Sequence, residues 1–157
     1  MIGIVGAGMS GLFAARALAR QGHQVTLFES DTPPPAEDAD GTFQHWQRNS
    51  VAQFRQPHAA RAYIYRTLSD RDPALLQAMI DEGMSPWRFH LLAVEDPDLP
   101  HDPELTGMLG RRPTLEVPLR RVTEGTPGVT IVRTPVKGLR IEKIDGRLRA
   151  TGIVTPD

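Results

Sequence analysis

An α/β fold with a mainly parallel sheet is what this 157-residue sequence predicts, and three observations predict it. The chain opens on a short apolar run, Ile2–Val5, followed at once by glycines at 6, 8 and 11. A helix-period stretch and a second strand-like run come next, completing a βαβ pattern within roughly 30 residues. Near the end, Asp145-Gly146 stands between two strand-like runs, the signature of a tight hairpin. The expected architecture is therefore Rossmann-like, with helices around the sheet and an added β-hairpin.

Each element follows from local pattern. Ile2, Ile4 and Val5 read as a buried strand. From about Ser10 to Gln21, the spacing of Leu12, Ala15, Leu18 and Ala19 predicts a helix. Ser10 is its expected N-terminal cap and Gly22 its C-terminal one. The run HQVTLFES, rich in Val, Thr and Phe, predicts a second strand ending at Glu29. After Ser30 the pattern breaks, and SDTPPPAEDADG reads as a polar, proline-rich loop.

A helix is predicted after Pro57, with Ala59, Ala62, Tyr63 and Leu68 on its apolar side. Asp72-Pro73 predicts the start of another, PALLQAMIDEG, closing at Gly83. From Ser85 to Gly110 irregular structure with scattered strand character is expected, FHLLAV included. Leu115, Leu119 and Val122 after Pro113 predict a further helix, which Pro118 should weaken or kink. GVTIVRTPVKGLRIEKI predicts strands, and RLRATGIV supplies the hairpin partner.

Composition narrows the function. The length suits one domain with a sizeable core. A net charge of -1 gives no electrostatic footing for nucleic acid. The absence of cysteine excludes disulfides and thiolate metal sites. No apolar stretch is long enough for a bilayer, and no basic segment precedes Ile2, so neither a membrane span nor a signal peptide is expected. A cytoplasmic location is the default expectation.

The glycines carry the chemistry. Gly6 suits a tight turn, Gly8 leaves room for a pyrophosphate against bare backbone, and Gly11 lets helix and strand pack closely. The helix N-terminus offers free N–H groups and partial positive charge to phosphates. Gly6, Ala7, Gly8, Met9, Ser10 and Gly11 are therefore the expected cradle. Glu29, 18 positions beyond Gly11, stands where a carboxylate takes both ribose hydroxyls and repels a 2′-phosphate. FAD or NAD is thus favoured over NADP.

Other candidates have plainer explanations. His23, His45, His58, His90 and His101 show no metal-ligand spacing. His101 lies among Asp96, Asp98, Asp102 and Glu104, but the interleaved prolines read as a solvated acidic loop. Ser10 has no nucleophile-elbow context. Arg111, Arg120 and Arg121 read as a solvated helix face, and Trp46 and Trp87 as packing residues. No side chain is assigned as a catalytic acid or base.

Two stretches carry a resemblance. GIVGAGMSGLFAARALARQGHQVTLFES resembles the N-terminus of flavoproteins of the two-dinucleotide-binding type. GRRPTLEVPLRRV and GVTIVRTPVKGLRI resemble a later stretch of FAD-dependent monooxygenases of the p-hydroxybenzoate hydroxylase type, where an Arg-x-x-Leu pattern begins a helix. Arg112 and Leu115 match that pattern. The resemblance implies that Arg112 contacts FAD near its ribose and pyrophosphate, to which a guanidinium fork is suited. It implies that Val136, in the following strand, passes its backbone beside the adenine. VAQFRQPHAAR resembles a loop near the flavin, which implies roles there for Arg55 and His58.

The implied fold is a partial Rossmann-like FAD-binding domain. The implied activity is oxygenation of a small organic substrate with NAD(P)H and oxygen. The family's later Gly-Asp motif has no counterpart, since no Gly-Asp dipeptide occurs. Neither Asp40-Gly41 nor Asp145-Gly146 follows a strand of the kind that the family's Asp-Gly motif requires. Residues 1–157 are therefore expected to form the N-terminal part of such a domain, without its substrate domain. A sheet left short of a neighbour has an open edge, so weak FAD affinity and self-association are expected. An NAD-linked dehydrogenase domain and a non-catalytic remnant stay open as alternatives.

Overall fold

The computed structural model describes residues 1–88 and 106–156. In chain order the elements are β1 (Ile2–Val5), α1 (Met9–Arg20), β2 (Val25–Glu29), α2 (Ala39–His45), β3 (Pro57–Ala60), α3 (Ala62–Arg71), α4 (Pro73–Asp81), β4 (Ser85–Arg88), β5 (Thr106–Arg111), α5 (Arg112–Glu124), β6 (Val129–Arg133), β7 (Gly138–Ile144) and β8 (Arg147–Val154). They fall into two compact units, Met1–Pro33 with Thr123–Asp157, and Pro34–Val122.

The first unit holds the parallel sheet, in the order β1-β2-β6. Ile2 pairs with Val25 and Ile4 with Leu27, and on the other side Val25 pairs with Val129 and Leu27 with Ile131. β2 is central, and its burial alternates with the strand period of two, Val25, Leu27 and Glu29 being buried. α1 packs on β2 and buries Leu12, Ala15 and Ala19, as its apolar spacing predicts. The helix stops at a Schellman turn, in which Gly22 donates its N–H to Ala19 O and His23 donates to Leu18 O.

β1 departs from expectation. It is not buried: Ile2 and Ile4 are half-buried and Val5 is 61% exposed. The reason is its place at the sheet edge, where it pairs with β2 alone among the described residues.

The β7–β8 hairpin forms as predicted. Asp145 and Gly146 both take positive φ, 51° and 76°, the pairing a two-residue turn of this twist demands. A bulge lies between Arg140 and Ile141, and Leu139, Ile141 and Leu148 remain exposed.

The second unit contains a sheet that the sequence pattern hid. β3, β5 and β4 form an antiparallel sheet in the order β3-β5-β4, with Met108 opposite both Ala60 and Pro86. The segment from Ser85 to Gly110, expected to be irregular with scattered strand character, supplies β4 and most of β5, while FHLLAV, His90, His101 and the acidic loop around them lie outside the described residues. Pro57–Ala60 belongs to β3, so the helix predicted there starts later, at Ala62. Leu68 is buried as expected, but Tyr63 is 70% exposed.

The supposed proline-rich loop also yields α2, capped by Asp38, whose Oδ1 accepts the Gly41 N–H at 2.7 Å. Asp40-Gly41 therefore lies in a helix. α4 forms as predicted and buries Leu75, Leu76 and Met79. α5 runs through Pro118 without a break, although proline lacks the N–H for an i→i−4 bond. Its stretch from Thr114 to Arg120 is buried throughout, and tertiary burial offsets the local cost.

Candidate cofactor site

In the first unit, the turn between β1 and α1 is built from the backbone outward. Gly6 takes φ +93°, a conformation that L side chains rarely adopt, and its N–H donates to Phe28 O at 2.7 Å. Gly11 is required by contact: a Cβ there would stand 2.0 Å from the Gly6 carbonyl oxygen. Gly8 is different. Its φ of -77° and ψ of -178° are extended backbone open to any residue, so nothing in its conformation demands glycine. A bare backbone at this position suits the close approach of a ligand.

Gly8 is the residue that opens α1, and no side chain caps the helix. The first turn, Met9, Ser10 and Gly11, also holds no acidic residue. Ser10, expected as the cap, sits inside the first turn and is exposed, because the helix begins one residue earlier than its periodicity suggests. A helix start with no side-chain cap and no acidic residue in its first turn fits a phosphate-bearing ligand.

Glu29 lies at the same turn. It is 4% exposed, and its Oε2 accepts the Ala7 N–H at 2.9 Å while Oε1 accepts the Asp31 N–H at 2.9 Å. The carboxylate thus ties the turn after β1 to the end of β2. Farther along α1, burial and then the charge of Arg20 hold the Arg16 guanidinium below its ordinary pKa. Val136, expected within a strand, lies in the connection between β6 and β7 and is half-buried. The chain leaves the ladder at Arg133, and the intervening Pro135 lacks a ladder donor.

The second unit holds the remaining predicted residues. Arg55 is exposed, donates from Nη2 to Gln44 O at 3.2 Å and stacks 4.9 Å from the Phe43 ring centroid. His58 pairs its Nδ1 with Gln56 O at 2.9 Å on β3. Arg112 begins α5 and donates from Nε to Glu116 Oε2 at 3.0 Å. No hydrogen bond or ion pair among the described residues joins Arg112 to Arg55 or His58.

The reading of the other arginines needs correction. Arg111 ends β5 rather than lying on a helix, and it pairs with Asp40. Arg120 is buried at 3% exposure, near Glu116 and the Trp46 ring. Arg121 is the exposed one, yet it reaches Glu82 at 3.0 Å and Glu37 O at 2.6 Å. Trp46 is a packing residue, buried in edge-to-face contact with Phe54.

The buried cluster of Arg48, Arg112, Glu116 and Arg120 was not foreseen. Its one signal in the sequence is the spacing of Arg112, Glu116 and Arg120, four apart along a helix. Among the described residues no group of His, Asp and Glu is placed to hold a metal ion, and no helix is long and apolar enough to cross a membrane.

A βαβ unit with a glycine turn, an uncapped helix start and a buried acid at the end of β2 defines a dinucleotide-binding protein. The chain belongs to the FAD dependent oxidoreductase family, whose profile matches residues 1–124, and FAD is the cofactor of that family. No curated protein sequence matches the chain.

Solved structures share its fold. Thermovibrio ammonificans THI4 is 18% identical, with a TM-score of 0.60 over 98% of this chain and 45% of its own. Pseudomonas aeruginosa PqsL in complex with 2-aminobenzoylacetate is 16% identical, with a TM-score of 0.63 over 94% of this chain and 39% of its own. The p-nitrophenol 4-monooxygenase PnpA of Pseudomonas putida is 15% identical, with a TM-score of 0.60 over 98% and 38%. The chain thus spans less than half the length of these relatives.

Proposed function

We propose that this chain supplies the N-terminal, FAD-binding part of a flavin-dependent monooxygenase that acts on a small organic substrate with NAD(P)H and oxygen. The observation that carries the cofactor half is the bare, extended Gly8 at an uncapped helix start, beside the buried carboxylate of Glu29. The oxygenase half is supported by the fold shared with p-nitrophenol 4-monooxygenase.

The residues divide the work. The N–H groups at the start of α1 meet the diphosphate, and Glu29 takes the ribose hydroxyls. Arg112, Arg55 and Val136 are further cofactor contacts, supported by the sequence resemblance. FAD, when bound, supplies the electron transfer and oxygen chemistry; the protein's share is to bind, orient and shield. The cysteine-free composition supports a cytoplasmic location. Among the described residues β1 pairs with β2 alone, and an edge of that kind supports self-association.

The test is a reduction experiment on FAD-loaded protein. Anaerobic NADH or NADPH is expected to bleach the flavin absorbance, and admitted oxygen to restore it. Calorimetry with FAD, ADP and NAD tests the binding half: FAD and ADP should bind. Heat with NAD alone favours a dehydrogenase domain, and silence for all three leaves a non-catalytic remnant. Failure of both nicotinamides to bleach bound FAD overturns the monooxygenase reading.

A further inference from the structure

The sequence contains two Asp-Gly pairs, Asp40-Gly41 and Asp145-Gly146. Such a pair carries its own chemistry. The backbone nitrogen of the glycine can attack the aspartate Cγ, because glycine has no side chain to hinder the approach. Whether the attack occurs depends on how the two reacting groups are held, and the fold holds them differently at the two pairs.

At Asp40-Gly41 both groups are engaged. Asp40 lies in the first turn of α2 and pairs with Arg111. The Gly41 N–H donates to Asp38 Oδ1 at 2.7 Å, and a Cβ on Gly41 would stand 2.7 Å from that of Ala36. Exposure does not separate the pairs, since the Asp40 side chain is itself 73% exposed.

At Asp145-Gly146 neither group is engaged. These are the two central residues of the β7–β8 turn, which Ile144 and Arg147 close as a pair. In such a turn the hydrogen bonds belong to the closing pair, and the central N–H groups face outward. The Asp145 carboxylate and the Gly146 N–H make no hydrogen bond or ion pair among the described residues. Both residues are exposed, and a Cβ on Gly146 would meet nothing within 4 Å. Local opening of this tip breaks few buried contacts.

We propose that Asp145 is a site of spontaneous isoaspartate formation and that Asp40 is not. The Gly146 nitrogen bonds to Asp145 Cγ, and its proton leaves with the carboxyl hydroxyl as water, giving a cyclic imide. Water then adds back. Cleavage of the bond from Gly146 N to Cγ restores aspartate. Cleavage of the bond from Gly146 N to the Asp145 main-chain carbonyl carbon leaves the chain running through Cβ. One water is lost and one regained, and no oxidant or cofactor takes part. The product lengthens a two-residue turn by one backbone carbon, so the Ile144–Arg147 pair no longer closes as before.

The test is peptide-resolved labelling by an isoaspartyl carboxyl methyltransferase, after the whole folded chain has stood for weeks in neutral buffer. Label should rise with time on the tryptic peptide holding Asp145, whose mass before labelling is unchanged. It should stay at its starting level on the peptide holding Asp40. In urea both peptides should gain label, since no fold then separates them. Asn49, the one asparagine, reports on another tryptic peptide and with a gain in mass. Asp145→Glu, whose longer side chain does not close the same ring, should lose the label. Label on Asp40 in the folded chain, no rise at Asp145, or label that persists in Asp145→Glu overturns the proposal. So does an Asp40 that stays unlabelled in urea, because its protection would then owe nothing to the fold.

Discussion

Glu29 and Ala7 stand 22 positions apart in the chain, and the carboxylate Oε2 of the first accepts the backbone N–H of the second at 2.9 Å. With Oε1 on the Asp31 N–H, one buried side chain ties the end of β2 to the turn after β1. Glu29→Ala removes the acceptor from both N–H groups. The expected cost is about 1–3 kcal/mol for loss of these hydrogen bonds to a charged acceptor, with weakened FAD binding besides. Thermal melts and flavin titration check the two effects. A variant that melts with wild type would show that this tie has no energetic weight.

Gly8 and Gly11 should separate binding from folding. Gly8 has ordinary extended backbone, so Gly8→Val is expected to lose FAD binding while costing less stability than Gly11→Val. Gly11→Val sets a Cβ against the Gly6 carbonyl oxygen and should cost ~3 kcal/mol or more by overpacking. Circular dichroism melts alongside FAD titration distinguish the two. Retained FAD affinity in Gly8→Val would remove the cradle on which the cofactor reading depends.

Asp38 caps α2 in the second unit through its contact with the Gly41 N–H. Asp38→Ala is expected to cost about 0.5–2 kcal/mol, measured as a lower urea midpoint. Asp38→Asn, which keeps an acceptor, should recover most of that loss. Equal midpoints for the alanine variant and wild type would count against the cap.

The edge of β1 can be tested through its hydrogen-bonding alternation. Ile2 and Gly6 donate toward β2, to Gln24 O and Phe28 O, so the Gly3 N–H faces the open side. Gly3→Pro removes that donor without breaking a β1–β2 bond, the way natural edge strands are blunted. Sedimentation velocity should show less self-association than in wild type. An unchanged distribution would place any association elsewhere, the exposed Leu139, Ile141 and Leu148 of the hairpin being the next surface to examine.

Much of the first unit was legible because its signals are local. Three glycines, the α1 stripe, the Schellman turn at Gly22 and the Asp145-Gly146 hairpin depend on neighbours a few residues away. In the second unit the helices were partly legible from the same kind of signal, as α4 shows, but its antiparallel sheet was not. β3 looked like the start of a helix because an Ala-rich stretch has no strand signature, and only its pairing with β5 makes it a strand. Asp38 was a visible cap signal hidden by the prolines before it.

By itself the sequence determined the βαβ opening, the place of Glu29 at the end of its second strand and the hairpin. Backbone dihedrals and nearest-neighbour periodicity suffice for these. Only the tertiary structure decided that β1 is an edge and that β3, β4 and β5 pair. The same holds for Arg120, which is buried beside Glu116 rather than solvated on a helix face. Those outcomes turn on which distant segment supplies the partner for a strand edge or a charge, and one-dimensional pattern does not encode that choice.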